Sequence, residues 1–96
     1  MKSLLWQMFA GTLGGYTRGY ILKNISVKPY YAKQLADDLN LDYETTRRHL
    51  DILVKNKIIT TKKDKFGKLY SISKNMEPNL NDISQIWEKI QMDNLH

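Results

Sequence analysis

The chain has 96 residues, 42% of them hydrophobic and 26% charged, as expected for one small globular domain. It contains no cysteine, which excludes disulfide bonds, thiolate metal sites and cysteine nucleophiles. The net charge is +5, and residues 43–75 carry nine basic and three acidic residues, a net +6. Such clustering indicates a polyanionic partner, although a lysine-rich solvated surface would have the same composition.

The N-terminal third predicts two helices separated by glycines. The first, within residues 1–11, has apolar residues at helical spacing, namely Leu4, Leu5, Met8 and Phe9. Glycines then interrupt the pattern, and GTLGG lacks the spacing of a phosphate-binding loop. The second helix begins near Tyr16 and ends before Pro29, which disfavours helical geometry in the preceding residue.

Residues 31–56 predict two short helices joined by three residues. Leu35, Ala36 and Leu39 form one apolar face in YAKQLADDLN. Asn40 can adopt the left-handed conformation that ends a helix, and Asp42 can cap the next one. That next helix spans about 43–56, with Thr46, Leu50, Leu53 and Val54 on its buried face and Lys55 and Lys57 in its last turn.

The remainder predicts a β-hairpin and a last helix. IITTKK is rich in β-branched residues, KDKFGK has loop composition, and LYSIS alternates as a returning strand. Pro78 and Asn79 open the last helix, with Asp82 placed as in a capping box. The predicted fold class is therefore mainly α with a small β-hairpin (α+β), a winged helix-turn-helix. We expect a single domain over 1–96, with a winged-helix core at 12–76 and terminal helices at 1–11 and 79–96.

A helix-turn-helix followed by a basic hairpin predicts binding to double-stranded DNA. In the helix at 43–56, Tyr43, Glu44 and Arg47 point away from the core, and Thr45 and Arg48 flank them within reach of phosphates. Arg47 is the candidate for a bidentate bond to guanine. Glu44 could accept a hydrogen bond from cytosine, or it could interact favourably with the helix dipole at the first turn. The alternative is a solvated helix face with ion pairs Arg48–Asp51 or Glu44–Arg48.

The hairpin at about 60–73 is the predicted wing. We expect it to contact the phosphate backbone or the minor groove. Its candidate contacts are four lysines within seven positions, namely Lys62, Lys63, Lys65 and Lys68. We expect Phe66 to pack under the wing, because a lone aromatic residue in a turn more often belongs to a local core.

These residues resemble the ArsR-type winged-helix regulators. Thr17, Arg18, Ile21 and Leu22 form TRxxIL, the signature that opens that family's domain. QLADDLNLDYETTRRHLDILVKNKII is similar to its helix-turn-helix, and the segment from Phe66 to Ser73 looks like the wing of its archaeal branch. The resemblance covers about residues 12–76, and MarR-type and small archaeal viral winged helices are also similar. It implies a homodimer on a pseudo-palindromic operator.

Family members often sense metals through cysteines near the first helix of the motif, but AKQLADDLN has none. His49 is then a packed or phosphate-proximal histidine, and Asp93 with His96 forms a weak pair, so we expect no metal and no cofactor. Nothing indicates an enzyme or a membrane span. The N-terminal segment SLLWQMFAGTLGG resembles a signal peptide, but its apolar stretch is short, contains Gln7 and lacks a clear cleavage site, so a cytoplasmic protein is predicted. An effector stays unknown, and the alternative function is a protein–protein interaction module without specific DNA binding.

Surplus apolar residues at the two ends predict a homodimer held by the terminal helices. The expected interface residues are Leu4, Leu5, Met8, Phe9, Ile83, Ile86, Trp87 and Ile90. The alternative is that the last helix folds back on its own domain.

Overall fold

The computed structural model describes residues 15–94. Its elements in chain order are α1 (Gly15–Val27), β1 (Tyr30–Tyr31), α2 (Ala32–Leu39), α3 (Tyr43–Lys55), β2 (Ile59–Asp64), β3 (Gly67–Ile72), a 3-10 turn (Lys74–Asn79) and α4 (Leu80–Asn94). This architecture confirms the predicted fold class, mainly α with a small sheet. The helix expected within residues 1–11, with Leu4, Leu5, Met8 and Phe9, lies outside the described residues.

The connection between α2 and α3 forms as its residue types predict. Asn40 has φ 54°, and the Leu41 amide donates to the Ala36 carbonyl at 2.8 Å, which ends α2. Asp42 is extended, and its carboxylate accepts from the Thr45 amide at 2.9 Å, which begins α3. The helix-turn-helix is thus determined by two local hydrogen-bonded caps.

The end of α3 differs from expectation at Lys57. This residue lies beyond the helix, in the left-handed region with φ 61°. Its amide donates to the Val54 carbonyl at 2.9 Å, and the Ile58 amide donates to the Leu53 carbonyl at 3.0 Å. These are the two bonds of a Schellman motif, in which glycine is the usual residue at the left-handed position. Lys57 therefore follows the helix as its left-handed residue and does not lie in its last turn.

The sheet has three antiparallel strands in the order β1-β3-β2. The predicted hairpin is β2 and β3, and Gly67 adopts φ 121° where its turn ends. The sequence does not predict β1, because a strand of two residues is too short to show an alternation of polar and apolar side chains. In the sheet Tyr70 pairs with Tyr30 on one side and Thr61 on the other. The sheet therefore joins the wing to the start of α2.

The apolar face of α4 packs against α1 within the single chain. The Trp87 ring stacks on Tyr20 with centroids 5.6 Å apart, and a Cβ at Gly19 would lie 3.2 Å from Trp87 Cε3. Ile83, Ile86, Trp87 and Ile90 are at most 7% exposed. These four predicted interface residues are instead core residues, because α1 provides the apolar surface that a second subunit was expected to provide.

The start of α4 also departs from the prediction. Pro78 and Asn79 lie in the 3-10 turn, and the helix begins at Leu80. The Asn79 side-chain Nδ2 donates back to the Asn75 carbonyl at 3.5 Å, a contact within the preceding turn. Within residues 15–94, no helix is long and apolar enough to cross a membrane.

Candidate nucleic-acid interface

The two faces of α3 are separated by burial as its periodicity predicts. Thr46 and Leu50 are fully buried. Tyr43, at the first position of the helix, is 39% exposed, and Glu44 and Arg48 are exposed as well. The N-terminal half of α3 therefore presents polar and aromatic side chains to an approaching molecule.

Arg47 is half-buried and interacts with Tyr43. Its Nη1 donates to the Tyr43 hydroxyl at 3.2 Å, and its guanidinium carbon lies 6.0 Å from the centre of the Tyr43 ring. The Tyr43 hydrogen bond, followed by the nearby Tyr70 phenol, raises the pKa of Arg47, so the group stays charged. Arg47 Nε is buried without a hydrogen-bond partner among the described residues. The side chain is therefore charged, incompletely bonded and oriented by Tyr43.

Thr45 and Arg48, which the sequence places together as flanking contacts, differ in the structure. The Thr45 hydroxyl donates to Asp42 Oδ2 at 3.1 Å, so it completes the helix cap. The Thr45 amide and then its hydroxyl lower the pKa of Asp42. Among residues 15–94, Arg48 forms no ion pair with Glu44 or Asp51. Arg48 is thus available to an anion, whereas the Thr45 hydroxyl already has an acceptor.

The four wing lysines are exposed but do not share one face. Lys63 pairs with Lys68 across the hairpin, and alternation along β3 places Lys68 on the face of Tyr70, which packs on the core. Lys62 pairs with Leu69 on the opposite face. Lys65 lies in the turn between the strands. The register thus separates side chains that the sequence groups together.

A cleft of about 260 Å³ lies between the start of α2, the exposed face of α3 and the wing. Its lining residues are Tyr31, Ala32, Lys33, Tyr43, Arg47, Phe66, Gly67, Lys68 and Tyr70. The cleft brings together three predicted contacts, Tyr43, Arg47 and Lys68. It adds Lys33, which bonds Asp37 at 2.9 Å, and Tyr31. The sequence signal for these two is faint, a tyrosine and a lysine at the start of a helix.

Phe66 does not pack under the wing. Its side chain is 73% exposed, which corrects the prediction. The ring meets the edge of Tyr31 at 6.4 Å between centroids, and Lys65 Nζ lies 5.2 Å from its centre. Phe66 therefore contacts Tyr31 and Lys65 and is not part of the core cluster among the described residues.

His49 lies on α3 and is half-buried. Burial, and then the charges of Arg18 and Arg48, lower its pKa below the ordinary 6.5. Its Nδ1 is buried without a hydrogen-bond partner among the described residues. Within the same part of the chain, no group of three or more His, Cys, Asp or Glu residues could hold a metal ion. The effect of Arg18 on this pKa indicates that His49 lies near α1.

Comparison with solved structures identifies this arrangement of elements. A predicted DNA-binding transcriptional regulator from E. coli superposes with a TM-score of 0.69 at 21% identity, over 88% of this chain and 86% of its own. HlyU from Vibrio cholerae superposes with a TM-score of 0.67 at 16% identity, over 90% of this chain and 91% of the HlyU chain. A mutant of ZitR from Lactococcus lactis in its apo form gives a TM-score of 0.67 at 17% identity, over 82% of this chain but only 62% of the ZitR chain.

The sequence matches no protein-family model and no curated protein. The structural likenesses establish the fold: the chain has the winged-helix architecture of these solved regulators.

Proposed function

We propose that the protein is a sequence-specific double-stranded DNA-binding transcriptional regulator of the cytoplasm, not an enzyme. In this proposal α3, the recognition helix at about 43–56, enters the major groove, and the wing at about 60–73 contacts the backbone or minor groove. The observation that carries it is the convergence of Tyr43, Arg47 and Lys68 on the cleft between α3 and the wing. A DNA duplex against the exposed face of α3 would meet all three.

The charges on the wing favour an anionic partner. Lys63 and Lys68 are directly paired across the hairpin, and like charges in that position destabilise a sheet. A phosphate between them would convert the repulsion into two favourable contacts. The wing therefore has an electrostatic reason to bind a polyanion.

Arg47 is the residue that we assign to base readout. Its fork of donors matches the O6 and N7 acceptors of guanine in the major groove. The hydrogen bond that Arg47 donates to the Tyr43 hydroxyl limits the rotamers of Arg47 before binding, so less entropy is lost when the guanidinium meets a base. Two residues flank Arg47. Glu44 accepts from cytosine or interacts with the helix dipole, and Arg48 contacts phosphate.

The structural neighbours support the proposal by their names. The E. coli protein is described as a predicted DNA-binding transcriptional regulator, and this chain spans most of its length. Within winged-helix regulators, the TRxxIL segment and the frame around His49 favour an ArsR-type assignment. That assignment carries the expectation of a homodimer on a two-fold symmetric operator.

Four of the eight residues that the sequence suggested for the dimer interface are buried within their own chain, on the apolar face of α4. The remaining candidates are Leu4, Leu5, Met8 and Phe9, in the segment before α1. Sedimentation equilibrium at micromolar concentration tests the dimer, and a single species of 11.3 kDa would refute it.

Selection of bound sequences from random duplex DNA tests the main proposal. Enrichment of a two-fold symmetric motif, with affinity that falls steeply with salt, is the expected result. Random duplexes serve as the control for nonspecific attraction. Absence of any enriched motif would contradict sequence-specific binding, and absence of binding at low salt would favour the protein–protein interaction module.

A further inference from the structure

The tip of the wing is tied to the start of α2 by a contact between residues 33 positions apart. The Tyr31 hydroxyl donates to Asp64 Oδ2 at 2.6 Å. The second carboxylate oxygen, Oδ1, accepts from the Phe66 amide at 2.8 Å, inside the hairpin turn. Asp64 thus uses one oxygen to close the turn and the other to join the turn to the helix-turn-helix.

Tyr31 is itself held by both neighbouring elements. It is the last residue of β1, paired with Leu69 of β3, and it occupies the N-cap position of α2. Its amide donates to Gln34 Oε1 at 3.3 Å. The hydrogen bond to Asp64 raises the pKa of Tyr31, and the same bond lowers the pKa of Asp64. A neutral phenol therefore donates to a charged carboxylate at ordinary pH.

We propose that Tyr31 is a positioning residue that holds the wing tip against α2, and so keeps Lys68 on the same cleft as Arg47. This inference rests on the proposed function, since its consequence is read through DNA. Without the Tyr31–Asp64 bond the turn is attached to the domain through the two strands of the hairpin and the edge contact between Phe66 and Tyr31. The wing tip would then sample more orientations, and fewer of its lysines would reach phosphates at one time.

The proposal and a simple charge effect predict opposite changes in DNA affinity when Asp64 is removed. Asp64 is a negative charge among the wing lysines, so if it acted only as a charge, its removal would strengthen binding to DNA. If Asp64 anchors the wing through Tyr31, its removal weakens binding although the net charge rises. Tyr31→Phe removes the bond without any change in charge.

The first experiment uses Tyr31→Phe, with Tyr16→Phe as the matched control, because Tyr16 contacts Trp87 on α4 instead. In free Tyr31→Phe, nuclear Overhauser effects between the rings at positions 31 and 66 should weaken, and the Phe66 and Gly67 amides should become more mobile. Affinity for a duplex should fall about three- to tenfold, the range expected for one hydrogen bond. The slope of log affinity against log salt should decrease by about 0.9, the value for one phosphate contact.

The second experiment uses Asp64→Ala, with Glu88→Ala as the charge-matched control on the exposed side of α4. Weaker binding and a lower salt slope for Asp64→Ala, with binding at least as tight as wild type for Glu88→Ala, support the anchor. Tighter binding for Asp64→Ala means that Asp64 acts through charge alone and overturns it.

Ring contacts and amide mobility in Tyr31→Phe that match wild type also overturn the proposal. This measurement needs no DNA, so it decides the anchor separately from the proposed function. If wild type binds no duplex while Tyr31→Phe still loosens the tip, the proposed function fails and the anchor stands as a feature of the fold.

Discussion

Removal of one lysine from each face of the wing tests how the hairpin meets DNA. Lys68→Ala removes a cation from the cleft, next to Arg47, whereas Lys62→Ala removes one from the opposite face. Both side chains are exposed and both changes lower the net charge by one. Any difference between the two variants therefore reports position rather than total charge.

The magnitude follows from counterion release. One phosphate contact contributes about 0.9 to the slope of log affinity against log salt. Between about 50 and 200 mM salt, the loss of one contact therefore changes the salt-dependent part of affinity by about 3.5-fold. Lys68→Ala should show this full loss of slope. Lys62→Ala should keep most of the wild-type slope, because only its long-range attraction is lost and salt screens that.

Fluorescence anisotropy with a labelled duplex over a salt series measures both slopes. Each variant is compared on a preferred and a random sequence, and both sequences should respond alike, since phosphates carry no sequence information. Equal loss of slope in the two variants, or a larger loss in Lys62→Ala, would refute the orientation that the strand register assigns to the wing.

Arg47→Ala should reduce discrimination between preferred and random duplexes by about 1–3 kcal/mol, while Arg48→Ala should weaken binding to both duplexes alike. Competition binding measures this, and an unchanged specificity ratio for Arg47→Ala would exclude a role of Arg47 in base readout. Lys57→Gly should stabilise the protein by about 1 kcal/mol and raise Tm by about 4–8 °C, because glycine has no Cβ penalty at φ 61°. Asn40→Gly is the control in thermal unfolding, and no gain at position 57 would show that its conformation is unstrained. Because burial lowers the pKa of His49, the unfolded chain takes up a proton that the folded chain does not, so the free energy of unfolding should decrease as pH falls below 6.5. Urea unfolding at about pH 7.5 and 5.5 measures this, and an equal decrease in His49→Gln would assign it to another group.

The sequence by itself determined the features that depend on neighbouring residues. Pro29 ends a helix because its ring restricts the residue before it, and Asn40 and Asp42 end one helix and cap the next. β-branched residues followed by a glycine-containing turn give the hairpin. These signals act over a few positions, so the helix-turn-helix and the wing could be predicted without tertiary contacts.

Only the tertiary structure decided what each exposed or apolar surface meets. The apolar residues of α4 fit either a second subunit or α1, and the choice depends on the close approach at Gly19. The division of Lys62 from Lys68 depends on strand register, which a sequence pattern does not specify when both faces of the hairpin tip are polar. The Tyr31–Asp64 bond joins residues 33 positions apart, and such contacts exist only once the chain has folded around its core.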